Sequence, residues 1–287
     1  MKRLGVIGGS GLYEIEGLTE VEEVVVETPF GEPSDALVRG QLGDCELVFL
    51  PRHGRGHRLM PTELPFRANI WAFKELGVEA ILAVSAVGSM REEIVPGHLV
   101  VVDQFIDRTR HRPDTFFGDG VAAHVHFADP VCGDLASDVH GAAVAAGATV
   151  HQGGTYVCME GPQFSTRAES RLYRSWDASV IGMTNLQEAR LAREAGICYS
   201  TLALATDYDC WHESEEDVSV EAVLVVIREN VATAKQVIGE LASRLPDART
   251  CSCKSAMEHA IMTAPDCISA EARQRLDLLL PERFRSK

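Results

Sequence analysis

Short, largely apolar runs closed by glycine, proline or a charged residue alternate along this chain with longer stretches whose apolar side chains recur every three or four positions. The runs at residues 4–7, 46–50, 80–85, 99–103 and 201–206 are too brief for helices and lack a regular polar face. That pattern predicts strands buried on both sides of a sheet. Between them the spacing predicts helices over 66–76, 134–146, 167–176 and 186–195. Gly77 and Gly147 follow the first two, where a helix commonly ends in a left-handed residue. The longest pattern covers 219–245. Its stripe of Val220, Leu224, Ile227, Val231, Ala234, Ile238, Leu241 and Leu245 faces a core, with Ser219 as N-cap and Pro246 as terminator.

Strand and helix alternate, so the fold class expected is α/β with a largely parallel sheet. No repeat or low-complexity linker divides the 287 residues. The expectation is one domain over 1–287, with a C-terminal extension from about residue 249. Residues 107–127 are irregular and rich in His, Arg, Phe and Gly, and long loops of this kind in compact domains usually carry function.

Composition narrows the function. Apolar residues make up 46 % of the chain and its formal net charge is −15. Such acidity argues against binding nucleic acid or an anionic membrane, but a few buried donors can still hold a small anion. The N-terminal apolar run reaches Gly8 too soon for a signal peptide. No run approaches the roughly 18 apolar residues of a membrane span. A soluble, cytoplasmic protein is expected. Eight cysteines stand at 45, 132, 158, 198, 210, 251, 253 and 267. In a reducing compartment their default state is free thiol. The one close pair, Cys251 and Cys253, has no second pair at a matching spacing, so the spacing predicts no metal.

Five clusters at strand ends carry candidate chemistry. Gly8-Gly9-Ser10-Gly11 can turn backbone N–H groups onto an anion, but it is neither a P-loop nor a dinucleotide fingerprint. The basic cluster from Arg52 and His53 to His57 lies where α/β sheets bind ligands, and arginine presents a planar fork to phosphate. Ser85-Ala86-Val87-Gly88-Ser89 offers hydroxyl and N–H donors. In the segment from Met159 to Ser165, Phe164 can stack on a flat base and Glu160 can accept from hydroxyls. Asp207 and Asp209 stand two apart after an apolar strand. Either they share a face and repel, which raises one pKa and leaves a proton donor, or they form an ordinary Asx turn.

Taken in order, GVIGGSGL, ETPFGEPSDAL, RHGRGH, FRANIWAFKELG, VGSMREEIVPG, DQFIDRT, MEGPQFSTRAES, GMTNLQEARLAREAGICY and ATDYDCW resemble the trimeric purine nucleoside phosphorylases. Within that family the match is to the branch acting on 5'-methylthioadenosine, and it covers about three quarters of the chain. The resemblance implies a mixed, partly barrel-like sheet wrapped by helices. It implies a homo-oligomer, a trimer or a dimer of trimers, with sites near subunit boundaries. Phosphate would be held by Ser10, Arg52, His53, Ser85, Ala86 and Thr184. Met183 would lie under the ribose, and Phe164 and Ser165 would border the base. Asp207 and Asp209 would face the polar edge of the base, with Asp207 as the catalytic acid. Val220 and Val223 would line the 5' pocket, which His57 and a neighbouring subunit's His124 would close. Phosphate would be a co-substrate, and no cofactor would be needed.

Ser10 and Ser85 stand where relatives often have threonine, and Val87 where some have cysteine. Some thermophilic members carry a C-terminal cysteine pair like Cys251 and Cys253, with extra disulfides and a hexameric assembly. The expected reaction is phosphorolysis of 5'-methylthioadenosine to adenine and 5-methylthioribose 1-phosphate. A 6-oxopurine or methylthioinosine phosphorylase, a nucleoside hydrolase and a non-catalytic nucleoside-binding protein are the alternatives. The failed glycine fingerprint disfavours an oxidoreductase.

Overall fold

Four of the predicted strands form the centre of one sheet, and each is buried along nearly its whole length. These are β1 (Lys2–Gly8), β4 (Cys45–Pro51), β5 (Ala80–Ser89) and β11 (Cys198–Asp207). The computed structural model describes residues 2–9, 11–12, 14–212 and 220–285, and only the backbone of residues 220–225, 227 and 228. The four strands are parallel in the order β4, β1, β5, β11. That arrangement accounts for their unbroken apolar character, because helices cover both faces of such a sheet.

Beyond β4 the sheet ends in an antiparallel meander of β3 (Leu37–Leu42) and β2 (Thr19–Val24). Its outermost strand is exposed over most of its length and carries Glu20, Glu22 and Glu23. Charge on an edge discourages pairing with another chain.

On the other side β5 branches. Its N-terminal half pairs with β1, its last two residues pair antiparallel with β10 (Val180–Gly182), and β11 follows it throughout. From β11 the sheet continues into β6 (Leu99–Val102), which runs on past Asp103 into β7 (Gln104–Arg108). β8 (Val150–Gln152) likewise runs through Gly153 and Gly154 into β9 (Thr155–Met159). These two bent runs pair in parallel along both halves, and β9 joins β10. The circuit through β5, β11, β6–β7, β8–β9 and β10 therefore closes. This is the partly barrel-like element that the resemblance implied. Gly153 and Gly154 take φ values of +82° and +131° at the bend, and the Gly154 N–H donates to the Asp103 carboxylate at 3.0 Å.

The helices α1 (Phe66–Glu75), α2 (Gly133–Ala145), α3 (Arg167–Ser175), α4 (Asn185–Glu194) and α5 (Val220–Arg244) fall within a residue or two of their predicted spans. Ser219, expected to cap α5, lies outside the described residues. Gly77 and Gly147 take φ values of +69° and +76° and terminate α1 and α2 as predicted.

The face covered by α2 and α5 buries Leu135, Val139, Ala234, Ile238 and Leu241. On the opposite face, Trp71 and Phe73 of α1 meet Met257, Ile268, Leu276, Leu280 and Phe284 from the C-terminal segment. That segment, which includes α6 (Ala270–Arg275), is thus part of the core. It also brings Cys251 and Cys253 beside Cys132 and Cys198, which supplies the second pair that the sequence spacing lacked. Among the described residues, no helix is long and apolar enough to cross a membrane.

Candidate active site

Because β1, β4 and β5 are parallel, their C-terminal ends share one edge of the sheet, with Gly8 opposite Pro51 and Ile7 opposite Ala83. Chain exits at that edge leave a crevice where α/β folds bind ligands. A cavity of about 400 Å³ opens there, walled by Gly8, Gly9, Arg52, His53, His57, Ser85 and Ala86, with Leu204 and Val231 as apolar lining. Five sequence-predicted residues therefore meet in one place. Ser10 lies outside the described residues, between Gly9 and Gly11, both of which line the cavity.

Arg52 is buried, and its role is narrower than the sequence suggested. Its Nε and Nη2 donate to the two carboxylate oxygens of Glu188 at 2.5 and 3.1 Å, and Nη1 donates to the Val84 carbonyl at 2.9 Å. The planar fork expected to grip phosphate is thus occupied by a carboxylate. Of its five N–H bonds only the second hydrogens on Nη1 and Nη2 are left for an anion. The Tyr199 hydroxyl donates to the same carboxylate at 2.9 Å. Arg52 is thereby a rigid, charge-balanced wall.

His53 is fixed by contacts on two sides. Its Nδ1 lies 2.8 Å from the Leu59 carbonyl, which can only accept, so this nitrogen carries the hydrogen. In the neutral ring Nε2 is then an acceptor. Burial is the main cause that pulls its pKa down to about 4. His57 stacks on it with ring centroids 4.4 Å apart. A neutral His53 can accept the hydrogen of a monoprotonated phosphate.

Asp207 and Asp209 stand beside the next residues of β5. Gly88 has no side chain to interfere: a Cβ there would lie 3.0 Å from Asp207 Oδ1 and 3.3 Å from Asp209 Cβ. Among the described residues, neither aspartate lines the cavity wall itself. The chain turns between them, with Asp209 at φ +53° and its N–H donating to Asp207 Oδ1 at 2.8 Å. The local form is therefore an Asx turn, and the extended pair sharing one face does not occur. The expected pKa rise survives with a different leading cause. Burial raises both carboxyls, and repulsion from Asp209 adds a smaller rise at Asp207. The Thr206 hydroxyl donates to Asp207 Oδ2 at 2.7 Å and opposes that rise. Asp209 is the more buried of the two, and the Ser165 and Ser170 hydroxyls hold it.

The remaining predicted residues divide into three groups. Met183 packs on Gly161, where a Cβ would come within 2.5 Å of its sulfur, and this joins the two motifs proposed to border the ribose and base. Ser165 adjoins the Asx turn, its carbonyl accepting from Cys210 Sγ at 3.3 Å. Thr184 is buried at the start of α4, with its hydroxyl donating to Asn185 Oδ1 at 3.1 Å, and it is set back from the cavity. Phe164 is 48 % exposed. His124 is exposed, and its N–H donates to the Ala260 carbonyl at 2.8 Å. It does not line this chain's cavity. The side chains of Val220 and Val223 lie outside the described residues.

Two functional groups escaped the sequence reading. Glu188, Asn185 and Gln187 are fully buried polar residues on α4, where the stripe predicts apolar contact. Polar residues on a helix's buried face were the available signal. Arg112, in the irregular segment after β7, donates to the carbonyls of Glu160 and Met183 and to Gln187 Oε1. This long loop therefore clamps the strand ends around the ribose and base motifs.

A family model described as the phosphorylase superfamily matches residues 3–243. The S-methyl-5'-thioadenosine phosphorylase of Geobacter sulfurreducens is 64 % identical over 96 % of this chain and 97 % of its own length. That of Koribacter versatilis is 56 % identical over 98 % of this chain and 96 % of its own. A crystal structure of a methylthioadenosine phosphorylase from an antarctic soil metagenomic library superposes with a TM-score of 0.92, at 48 % identity, over 98 % of this chain and 99 % of that one. A mutant of the Schistosoma mansoni adenosine/methylthioadenosine phosphorylase, solved with methylthioadenosine, gives 0.84 at 35 % identity over 90 % of this chain and 96 % of its own.

Proposed function

Since the chain belongs to the phosphorylase superfamily, we infer that phosphate cleaves the glycosidic bond of S-methyl-5'-thioadenosine at the β1–β4–β5 edge, releasing adenine and 5-methylthioribose 1-phosphate. The enzyme is a pentosyltransferase of purine and methionine salvage. One observation carries the site assignment: a single strand, β5, borders both halves of the reaction. Ser85 and Ala86 wall the anion cavity, and Gly88 makes room for the two aspartates. Ala86 and Gly88 are roughly 7 Å apart along an extended strand. A sugar fits between an anion at the first and a base edge at the second.

The bond from C1' to N9 breaks as the ring gains oxocarbenium character. Asp207, whose pKa burial raises, donates a proton to N7 and makes the purine a better leaving group. A phosphate oxygen forms the new bond to C1' from the opposite face. The hydrogen of monoprotonated phosphate balances the one taken up by adenine and passes through His53 Nε2 or solvent. Phosphate is a co-substrate, its charge steadies the ribosyl cation, and the chemistry needs no metal or organic cofactor. An ionised Asp209 accepts from a 6-amino group, where a 6-oxo group would leave acceptors facing each other unpaired. The chain works as a homotrimer or a dimer of trimers, in which a neighbouring copy's His124 joins His57 over the 5' group.

The test is adenine release from S-methyl-5'-thioadenosine with and without phosphate. Turnover should require phosphate, and kcat/KM should rank this substrate above adenosine and far above inosine. Release at the same rate without phosphate points to a hydrolase, and a preference for inosine refutes the role of the aspartate pair.

A further inference from the structure

Far from the cavity, four cysteines from three separate places in the chain come together. Cys132 immediately precedes α2, Cys198 opens β11, and Cys251 and Cys253 flank one serine just after α5. Their four sulfurs all lie within 4.8 Å of one another. Three of the residues are buried and Cys251 is half-buried.

A disulfide needs only pairwise nearness. Here each sulfur is within reach of the other three, so the four surround a common centre. Cys198 Sγ lies 3.1 Å from Cys251 Sγ. That is well beyond a sulfur–sulfur bond of about 2.05 Å. Around a tetrahedral ion with zinc–sulfur bonds of about 2.3 Å, neighbouring sulfurs sit roughly 3.8 Å apart. The 3.1 Å pair and the 4.8 Å outer limit of the cluster both lie within about 1 Å of that spacing. We propose that Cys132, Cys198, Cys251 and Cys253 form a four-thiolate site for one zinc ion, which fastens the start of the C-terminal segment to β11 and α2.

The surroundings suit such a site. Thiolate is the soft ligand zinc selects, and four of them give a closed tetrahedral shell with no position for water or substrate. The role is therefore structural. The positive end of the α2 dipole adjoins Cys132 and favours its thiolate form. A cleft lined by Asp134, Asp138, Arg249 and Thr250 leads from the surface to three of the four cysteines and gives the ion a way in. Cys198 and Asp207 stand at opposite ends of the ten-residue β11, about 30 Å apart. The ion thus has no part in the proposed reaction, and the inference does not depend on that reaction.

The full-length chain, purified without chelator or added metal, is analysed by elemental mass spectrometry, and its thiols are counted after denaturation and alkylation. About one zinc per chain and eight alkylated thiols are expected. Cys132→Ser and Cys253→Ser should lose the zinc, whereas Cys267→Ser, at an exposed cysteine outside the cluster, should keep it. If the first two variants fail to fold, titrating the unaltered chain with a mercurial thiol reagent should release its zinc as the four thiols react. Replacement by cobalt should give the intense absorption of a tetrahedral thiolate complex. A chain with disulfides among these four cysteines overturns the proposal. So does one with eight free thiols that takes up no zinc when refolded with an equimolar amount.

Discussion

A carboxyl group that is to hand on a proton gains from shielding against water and from a fixed orientation, and Asp207 has both. Burial raises its pKa, while the Thr206 hydroxyl and the Asp209 N–H fix its orientation. Asp207→Ala removes the proposed acid and should lower kcat by about 10²–10⁴-fold with little change in the KM for phosphate. Steady-state kinetics against both substrates separates the two effects. His53 is one of several buried groups that set the pH dependence of stability, and Glu194, raised to about 7 mainly by burial, acts in the opposite sense. The His53 pKa falls from its ordinary 6.5 to about 4 in the folded chain. Between those values the unfolded chain binds a proton at this ring that the folded chain refuses, so the contribution of His53 to stability should fall as pH drops through that window. Urea unfolding of the unaltered chain and of His53→Asn from pH 7 to pH 4 isolates this contribution, and the variant should lose less stability on acidification than the unaltered chain. Much of this chemistry was legible as residue types at strand ends. Glu188 was not, because on paper a glutamate in a helix looks like a solvated one, and only the packing of α4 reveals its grip on Arg52.

Elements differ in how plainly they are written. β1, β4, β5 and β11 were readable because burial on both faces demands continuous apolar sequence. β2 was not, since its exposed edge carries Glu20, Glu22 and Glu23 without a regular apolar face. β8 and β10 span three residues each, too few for any period to register. Yet these short pieces close the barrel, and Gly154 bends the ring there. A side chain at Gly154 would meet Ser179 Oγ at 2.8 Å from a backbone with φ +131°. Gly154→Ala should therefore cost about 2 kcal/mol or more. Chemical denaturation measures that loss, and the ratio of kcat/KM between methylthioadenosine and inosine should stay as it was.

For the molecule as a whole, the family match stops at residue 243, but the core does not. Met257, Ile268, Leu276, Leu280 and Phe284 cover Trp71 and Phe73. Ending the chain after residue 249 should expose that face and abolish a sharp thermal transition, with a dye for apolar surface binding strongly at room temperature.

The pairing of Arg52 with Glu188 has a further consequence for how the dianionic co-substrate arrives. The guanidinium is already neutralised, and the molecule around it carries a formal charge of −15. Long-range fields therefore oppose the encounter. Inert monovalent electrolyte shortens the reach of that repulsion to about 10 Å at 0.1 M. Raising ionic strength from millimolar levels should speed capture of phosphate, so that its kcat/KM climbs where an anion site with an uncompensated cation would lose ground.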